Sequence, residues 1–344
     1  MNKTFPMAVV TEPGKVEFRE QVVGQLHDHD VLIGVKAAAI CGSDLHIFKG
    51  RHPSAPLPVA VGHELAGRVE QTGKKVSRFK AGDRVVVEPA IVCGKCEFCL
   101  SGRYNLCSDI SFQYRRGQGG FAPYFVCDES RTYHLPGNAT YEEGALVEPL
   151  SVAVHAVNKA DIRFGNTVAI FGDGAIGLFV LMLVNNLGPG DTFLAGARAN
   201  RLALAASLGA THVFDNLRQD AVAGIVAKTS GLGTDFSFEA VGLQRTLQQS
   251  LDVLKKGGTA VLLGIFEKSE ITLEPNLFIQ KEISLVGSQG YCRDFQTALK
   301  LMEKKRVQPG KVISHVLPLG SLQEGFELLL KENTEAVKVV IKMD

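Results

Sequence analysis

Thr167-Val168-Ala169-Ile170-Phe171-Gly172-Asp173-Gly174-Ala175-Ile176-Gly177 reads as an apolar strand, a glycine-rich turn and the opening of a helix. The turn fits G-x-G-x-x-G, a pattern common by chance. It gains weight from the strand before it and the helix-length apolar run Ile176 to Leu187 after it. Glycines allow a tight turn and let backbone N–H groups approach a pyrophosphate at a helix N-terminus. Gly172, Gly174, Ala175, Ile176 and Gly177 are therefore candidate cofactor contacts. The plain alternative is a glycine-rich turn with no ligand. A carboxylate would repel a pyrophosphate, so the Asp173 side chain is expected to point away from it.

Downstream, strand and helix patterns alternate. Thr192 to Ala195, His212 to Phe214, Phe236 to Phe238, Thr259 to Leu263 and Ile283 to Val286 read as strands, with a helix over Arg201 to Leu208. That order predicts an α/β unit: a doubly wound parallel sheet with helices on both faces. Upstream the texture differs. Short β-branched runs such as Val31 to Val35 and Arg84 to Val87 are broken by Pro53, Pro56, Pro58, Pro89 and Pro123, which predicts short strands joined by turns. After about Tyr291 come two helices, Phe295 to Glu303 and Leu322 to Leu330. A strand, Val337 to Ile341, follows and is expected to return to the first domain.

In a dinucleotide fold an acid about 20 positions past the turn usually binds the ribose 2′-hydroxyl. Here that region reads Ala195-Gly196-Ala197-Arg198-Ala199-Asn200-Arg201. The acid is absent and two arginines are present. A small residue leaves room for a 2′-phosphate, and Arg can pair with it bidentately. Gly196, Arg198 and Arg201 thus predict NADP, with NAD as the alternative. The competing reading makes both arginines solvated residues at a helix start.

Four of the seven cysteines fall within fifteen residues: Cys93, Cys96, Cys99 and Cys107. Their spacing, two, two and seven intervening residues, suits a tetrahedral zinc with every position filled, hence a structural one. A ferredoxin-type cluster would have three residues before its last Cys and then Pro, which this run lacks. A second constellation is Cys41-Gly42-Ser43-Asp44-Leu45-His46 followed by Gly62-His63-Glu64. Cys, His and carboxylate are the donors of a catalytic zinc with one open position, although each piece alone is ordinary.

Length and charge exclude other classes. The 344 residues, 45% of them hydrophobic, suit two domains. With 37 basic and 36 acidic residues, the formal net charge of +1 gives no electrostatic reason to bind nucleic acid or an anionic membrane. No apolar run reaches the ~18 residues of a membrane span, and Met1 to Pro6 lacks the apolar core of a signal peptide. A soluble, cytoplasmic protein is expected. The odd cysteine count argues against a disulfide scaffold.

In their order along the chain, the Cys-Gly-Ser-Asp-x-His and Gly-His-Glu pair, the four-cysteine loop and the dinucleotide turn resemble those of the zinc-containing medium-chain dehydrogenases. Within that family the chain looks like the polyol branch (sorbitol, galactitol-1-phosphate and threonine dehydrogenases). The resemblance implies a GroES-like, mostly-β catalytic domain from residues 1–152 and 291–344, carrying a structural zinc lobe. A Rossmann domain would span 153–290. It implies two zinc ions per subunit, with Cys41, His63 and Glu64 as catalytic ligands. Glu148 is the acid that reaches the same zinc directly or through its water, so which glutamate coordinates stays open. Ser43 and His46 match the proton relay. Leu263 to Ile265 and the stretch Ser288, Gln289 and Gly290 match loops along the nicotinamide. The implied activity is hydride transfer between a secondary alcohol of a polyol or sugar derivative and NADP(H) or NAD(H), in a homodimer or homotetramer. Arg115 and Arg116 raise the alternative of a phosphorylated or carboxylated sugar alcohol. A non-catalytic zinc and dinucleotide-binding protein is the reading from another class.

Overall fold

A computed structural model describes residues 4–52, 54–112, 117–268, 270–332 and 334–343. Tyr114, Arg115 and Arg116 lie outside the described residues. The chain divides into two compact units, Met1–Ser151 with Cys292–Asp344, and Val152–Tyr291.

The second unit is built on one parallel six-stranded sheet. Its order is His212–Asp215, Thr192–Gly196, Val168–Phe171, Thr234–Glu239, Leu254–Leu262, Ser284–Gly287. All neighbouring pairs run parallel. Val168–Phe171 comes first in the chain yet sits third in the sheet. The chain winds outward from it to one side and then to the other, so the glycine turn lies at the switch point. Val168–Phe171 is buried throughout, as a strand covered on both faces must be. The helix Ala175–Asn185 has every residue from Gly177 to Val184 buried, which explains an apolar pattern without a polar stripe. The helix expected over Arg201 to Leu208 begins earlier, at Ala199, because the chain is still extended at Arg198, its N-cap.

In the first unit, a sheet runs in the order Thr132–His134, Arg84–Val87, Glu64–Thr72, Asp30–Ala39, Lys338–Lys342, Ile313–Pro318; Tyr124–Asp128 also pairs with Asp30–Ala39. A smaller sheet joins Lys15–Val22, Thr4–Glu12 and Val59–Ala60. One core runs through these strands and includes Ile33, Val35, Leu65, Val85, Phe121, Phe125, Val339 and Ile341. The C-terminal strand therefore does return to the first unit. It lies antiparallel to the central strand, with Val340 opposite Ala39, while Glu64 flanks Ala39 on the other side. This register brings Cys41, Glu64 and Lys338 to one end of the sheet. Among the described residues, no helix is long and apolar enough to cross a membrane.

Candidate functional site

Cys41 caps the short helix Gly42–Phe48 just beyond the central strand, and His63 immediately precedes Glu64, which opens the neighbouring strand. Donor atoms of Cys41, His63 and Glu64 all lie within 4.8 Å of one another. Glu148, in the first turn of the helix Val147–Val157, is 6% exposed but is not part of that group. Ser43 and His46, three residues apart and both half-buried, share a face of the Gly42–Phe48 helix.

Two supporting residues complete this group. Asp44, 1% exposed, accepts from Cys41 N at 3.0 Å and Gly62 N at 3.3 Å, and its Oδ1 lies 3.5 Å from His63 Nδ1. It thereby ties the two ligand-bearing segments together and orients the imidazole. A carboxylate behind a metal-binding His does this commonly, so Asp44 inside the Cys41 motif carried a readable signal. Lys338 carried none. It is 4% exposed, donates to Glu64 Oε1 at 2.7 Å and to Ile40 O at 2.9 Å, and lies 2.6 Å from Glu64 Oε2.

The electrostatics of the group favour positive charge. Burial works against a charged His63, yet Asp44 and Cys41 outweigh it and hold its pKa well above the usual imidazole value. Burial likewise opposes the Lys338 ammonium, and Glu64, Cys41 and Glu148 outweigh it. A thiol, an imidazole and a carboxylate at this spacing, in surroundings that stabilise a cation, fit zinc. Breaking a buried ion pair from one side leaves an uncompensated charge. Lys338→Met is expected to cost about 3–5 kcal/mol of unfolding free energy in metal-free protein. The cost should be smaller with zinc added, because the metal supplies the missing charge. Urea unfolding with and without zinc measures both; a loss below about 1 kcal/mol, typical of an exposed pair, would contradict this account.

The Cys93, Cys96, Cys99 and Cys107 sulfurs also lie within 4.8 Å of one another. The loop folds its amides onto them: Cys93 N donates to Cys107 Sγ and Cys96 N to Cys93 Sγ, both at 3.3 Å. The N–H groups of Cys99 and Ser108 draw the Cys96 thiol down to about 6, while desolvation pushes Cys99 up to about 12. Four sulfurs this close ionise together only around a cation, so this set too fits zinc. The loop buries little else, since Leu100 is 75% and Leu106 41% exposed. It is latched to the returning chain where Tyr104 OH accepts from Arg293 N at 2.7 Å and Cys292 Sγ donates to Gly102 O at 2.9 Å.

In the second unit the expected cofactor residues gather at the carboxyl ends of the parallel strands. Gly174 caps the helix Ala175–Asn185. A Cβ on Gly177 would stand 2.0 Å from Gly172 O, so only glycine lets helix and turn meet. Gly196 ends its strand and Arg198 caps the next helix. Leu263 and Ser288 follow the last two strands, with Ser288 N donating to Leu262 O at 3.0 Å and Gln289 next along the chain. Asp173 turns toward Ala197 and Arg198. Arg201 is not a solvated helix-start residue: its side chain is 14% exposed and faces Asp173.

Comparison with known proteins identifies the family. The alcohol dehydrogenase GroES-like domain matches residues 27–137, and the zinc-binding dehydrogenase model matches residues 175–304. The sorbitol dehydrogenase of Bacillus subtilis (strain 168) is 32% identical, covering 99% of this chain and 99% of that protein. The D-arabitol-phosphate dehydrogenase of Enterococcus avium is 33% identical, covering 99% and 98%. A zinc-binding dehydrogenase structure from Sinorhizobium meliloti 1021, bound to NADP, superposes with a TM-score of 0.92 at 30% identity and covers 99% of each chain.

Proposed function

The chain belongs to the zinc-type medium-chain dehydrogenases, in their polyol branch, and from that premise we propose that it moves a hydride between a secondary alcohol of a polyol or sugar derivative and NADP(H), with NAD(H) as the second choice. The observation that carries this reading is the Cys41, His63 and Glu64 group, backed by Asp44 on one side and Lys338 on the other. In our reading the first unit is the catalytic domain and the second the dinucleotide-binding domain.

Cys41, His63 and Glu64 would hold the catalytic zinc, and Cys93, Cys96, Cys99 and Cys107 the structural one. Zinc at the first site supplies a Lewis acid that lowers the pKa of a substrate hydroxyl, as it lowers that of water to about 7. The protein's own groups do the rest. Asp44 accepts from His63 Nδ1 and leaves the other ring nitrogen for the metal. Lys338 offsets the charge of Glu64, and Glu148 adds a further carboxylate at the edge of the group. Ser43 takes the substrate proton and passes it toward His46. The turn from Gly172 to Gly177 presents backbone N–H groups to the pyrophosphate. Leu263, Ser288 and Gln289 would lie along the nicotinamide half of a bound dinucleotide, whose ring would supply the hydride acceptor.

Arg198 is the residue assigned to the 2′-phosphate. Arg198→Ala should raise the apparent KM for NADP by about tenfold, the weight of one charge-assisted contact, with little change for NAD. An equal rise for both cofactors would sink that assignment. The kinship with D-arabitol-phosphate dehydrogenase favours phosphorylated polyols as a second substrate class. The deciding experiment loads the purified protein with zinc and follows reduction of NADP and NAD. Polyols, sugar phosphates and aldonic acids form the substrate panel. No reduction of either cofactor by any of them would refute the proposal.

A further inference from the structure

The sequence lacks an acid at the end of Thr192–Gly196, where dinucleotide folds place the one that reads the ribose 2′-hydroxyl. The fold delivers a carboxylate to that place from another element. Asp173, the second residue of the glycine turn, is 7% exposed and reaches across to the neighbouring strand end. Its Oδ2 accepts from Ala197 N at 2.7 Å and from Arg198 N at 2.8 Å. A Cβ built on Gly196 would stand 2.5 Å from Asp173 Cβ and 2.6 Å from its Oδ2. The Asp173 carboxylate thus fills the volume that a side chain at 196 would enter. Gly196 is glycine because that space is taken, and room for a 2′-phosphate is not needed to explain it.

The second oxygen, Oδ1, forms an ion pair with Arg201 Nη1 at 3.7 Å, and a carboxylate oxygen has two lone pairs. It retains the capacity to accept from a hydroxyl. The same carboxylate opposes a 2′-phosphate in three ways: it repels it, it occupies two backbone N–H groups that would serve an anion, and it engages the charge of Arg201. We propose that Asp173 is the ribose-reading acid of this chain, moved from the strand end into the glycine turn, and that it sets the balance between NAD and NADP against the pull of Arg198.

This inference rests on the dinucleotide reading above, and its test separates the two. Titration calorimetry measures the binding of NADH and NADPH to the zinc-loaded protein. In Asp173→Asn the amide oxygen still accepts from Ala197 and Arg198, but the charge is gone. The affinity for NADPH relative to NADH is expected to rise by about tenfold or more, about 1.4 kcal/mol. If Asp173 only holds the 197–198 backbone in place, both affinities change by the same factor and the inference is overturned. The double variant Asp173→Ala with Gly196→Asp puts the acid in its usual position and empties the space it needs. It should bring the affinity ratio of NADPH to NADH back toward the wild-type value; failure to do so in a variant with an unchanged melting temperature would also overturn the inference. A wild-type protein that binds neither dinucleotide would instead remove the dinucleotide reading itself.

Discussion

Cys41→Ser is expected to lower kcat by at least about a thousandfold while the chain stays folded and the four-cysteine loop keeps its metal. The effect is large because the ligand is central to the proposed chemistry. Without the Lewis acid, a hydroxyl returns toward the pKa of about 15.7 that water has in bulk, and almost none of it is ionised at neutral pH. Serine offers a harder, mostly protonated oxygen in place of the thiolate, so the three-donor set becomes two donors and a poor third. The fold does not depend on that sulfur. Cys41 sits past the end of the central strand, at the cap of a short helix, and the core of the first unit is made of Ile33, Val35, Leu65, Phe125 and their neighbours. Metal analysis should show zinc falling from two to one per chain, with a melting temperature close to wild type. Global unfolding, or loss of both metals, would contradict the division of roles between the two sites.

The mirror experiment is Cys96→Ser. Structural zinc sites contribute roughly 10–16 kcal/mol of apparent binding free energy in isolated finger peptides. The loop from Cys93 to Cys107 resembles such a peptide in having little apolar surface to bury. Its only helical pieces are Glu97–Leu100 and the turn Tyr104–Leu106. The rest of the first unit has its own core, so the cost there is partial. A loss of about 3 kcal/mol would lower the melting temperature by roughly 6–12 °C. We expect a drop of that order, one zinc lost, and early proteolytic cutting between residues 93 and 107. Turnover measured well below the melting temperature should fall far less than in Cys41→Ser. An unchanged melting temperature would mean that the four sulfurs do not hold the loop. A thousandfold loss of turnover at low temperature would place catalysis in the wrong cluster.

The contrast between the two sites explains how differently they read. The four cysteines lie within one loop, so their spacing along the chain is nearly their spacing in space. The glycine turn is equally local: strand, turn and helix are consecutive, and Gly177 faces Gly172 across five residues. Cys41 and His63 required two adjacent antiparallel strands to meet, so their residue types suggested a shared metal, and the resemblance to a known family strengthened a pairing that spacing alone left weak. Asp44 belonged to the same motif, and its role follows from what an imidazole ligand needs behind it.

Periodicity, local spacing and turn chemistry were enough to read an α/β chain with a doubly wound sheet, a β-rich unit before it, a closed four-cysteine site and a turn shaped for pyrophosphate. Those features depend on residues close together in the chain, where backbone geometry leaves few choices. Sheet register and side-chain reach across elements supplied the rest. Lys338 meets Glu64 across 274 positions because the C-terminal strand pairs with the strand that ends at Ala39. Asp173 accounts for Gly196 because parallel neighbours place the turn after one strand beside the end of the next. A residue's local sequence says what its side chain can do; only the packing of distant strands says what it faces.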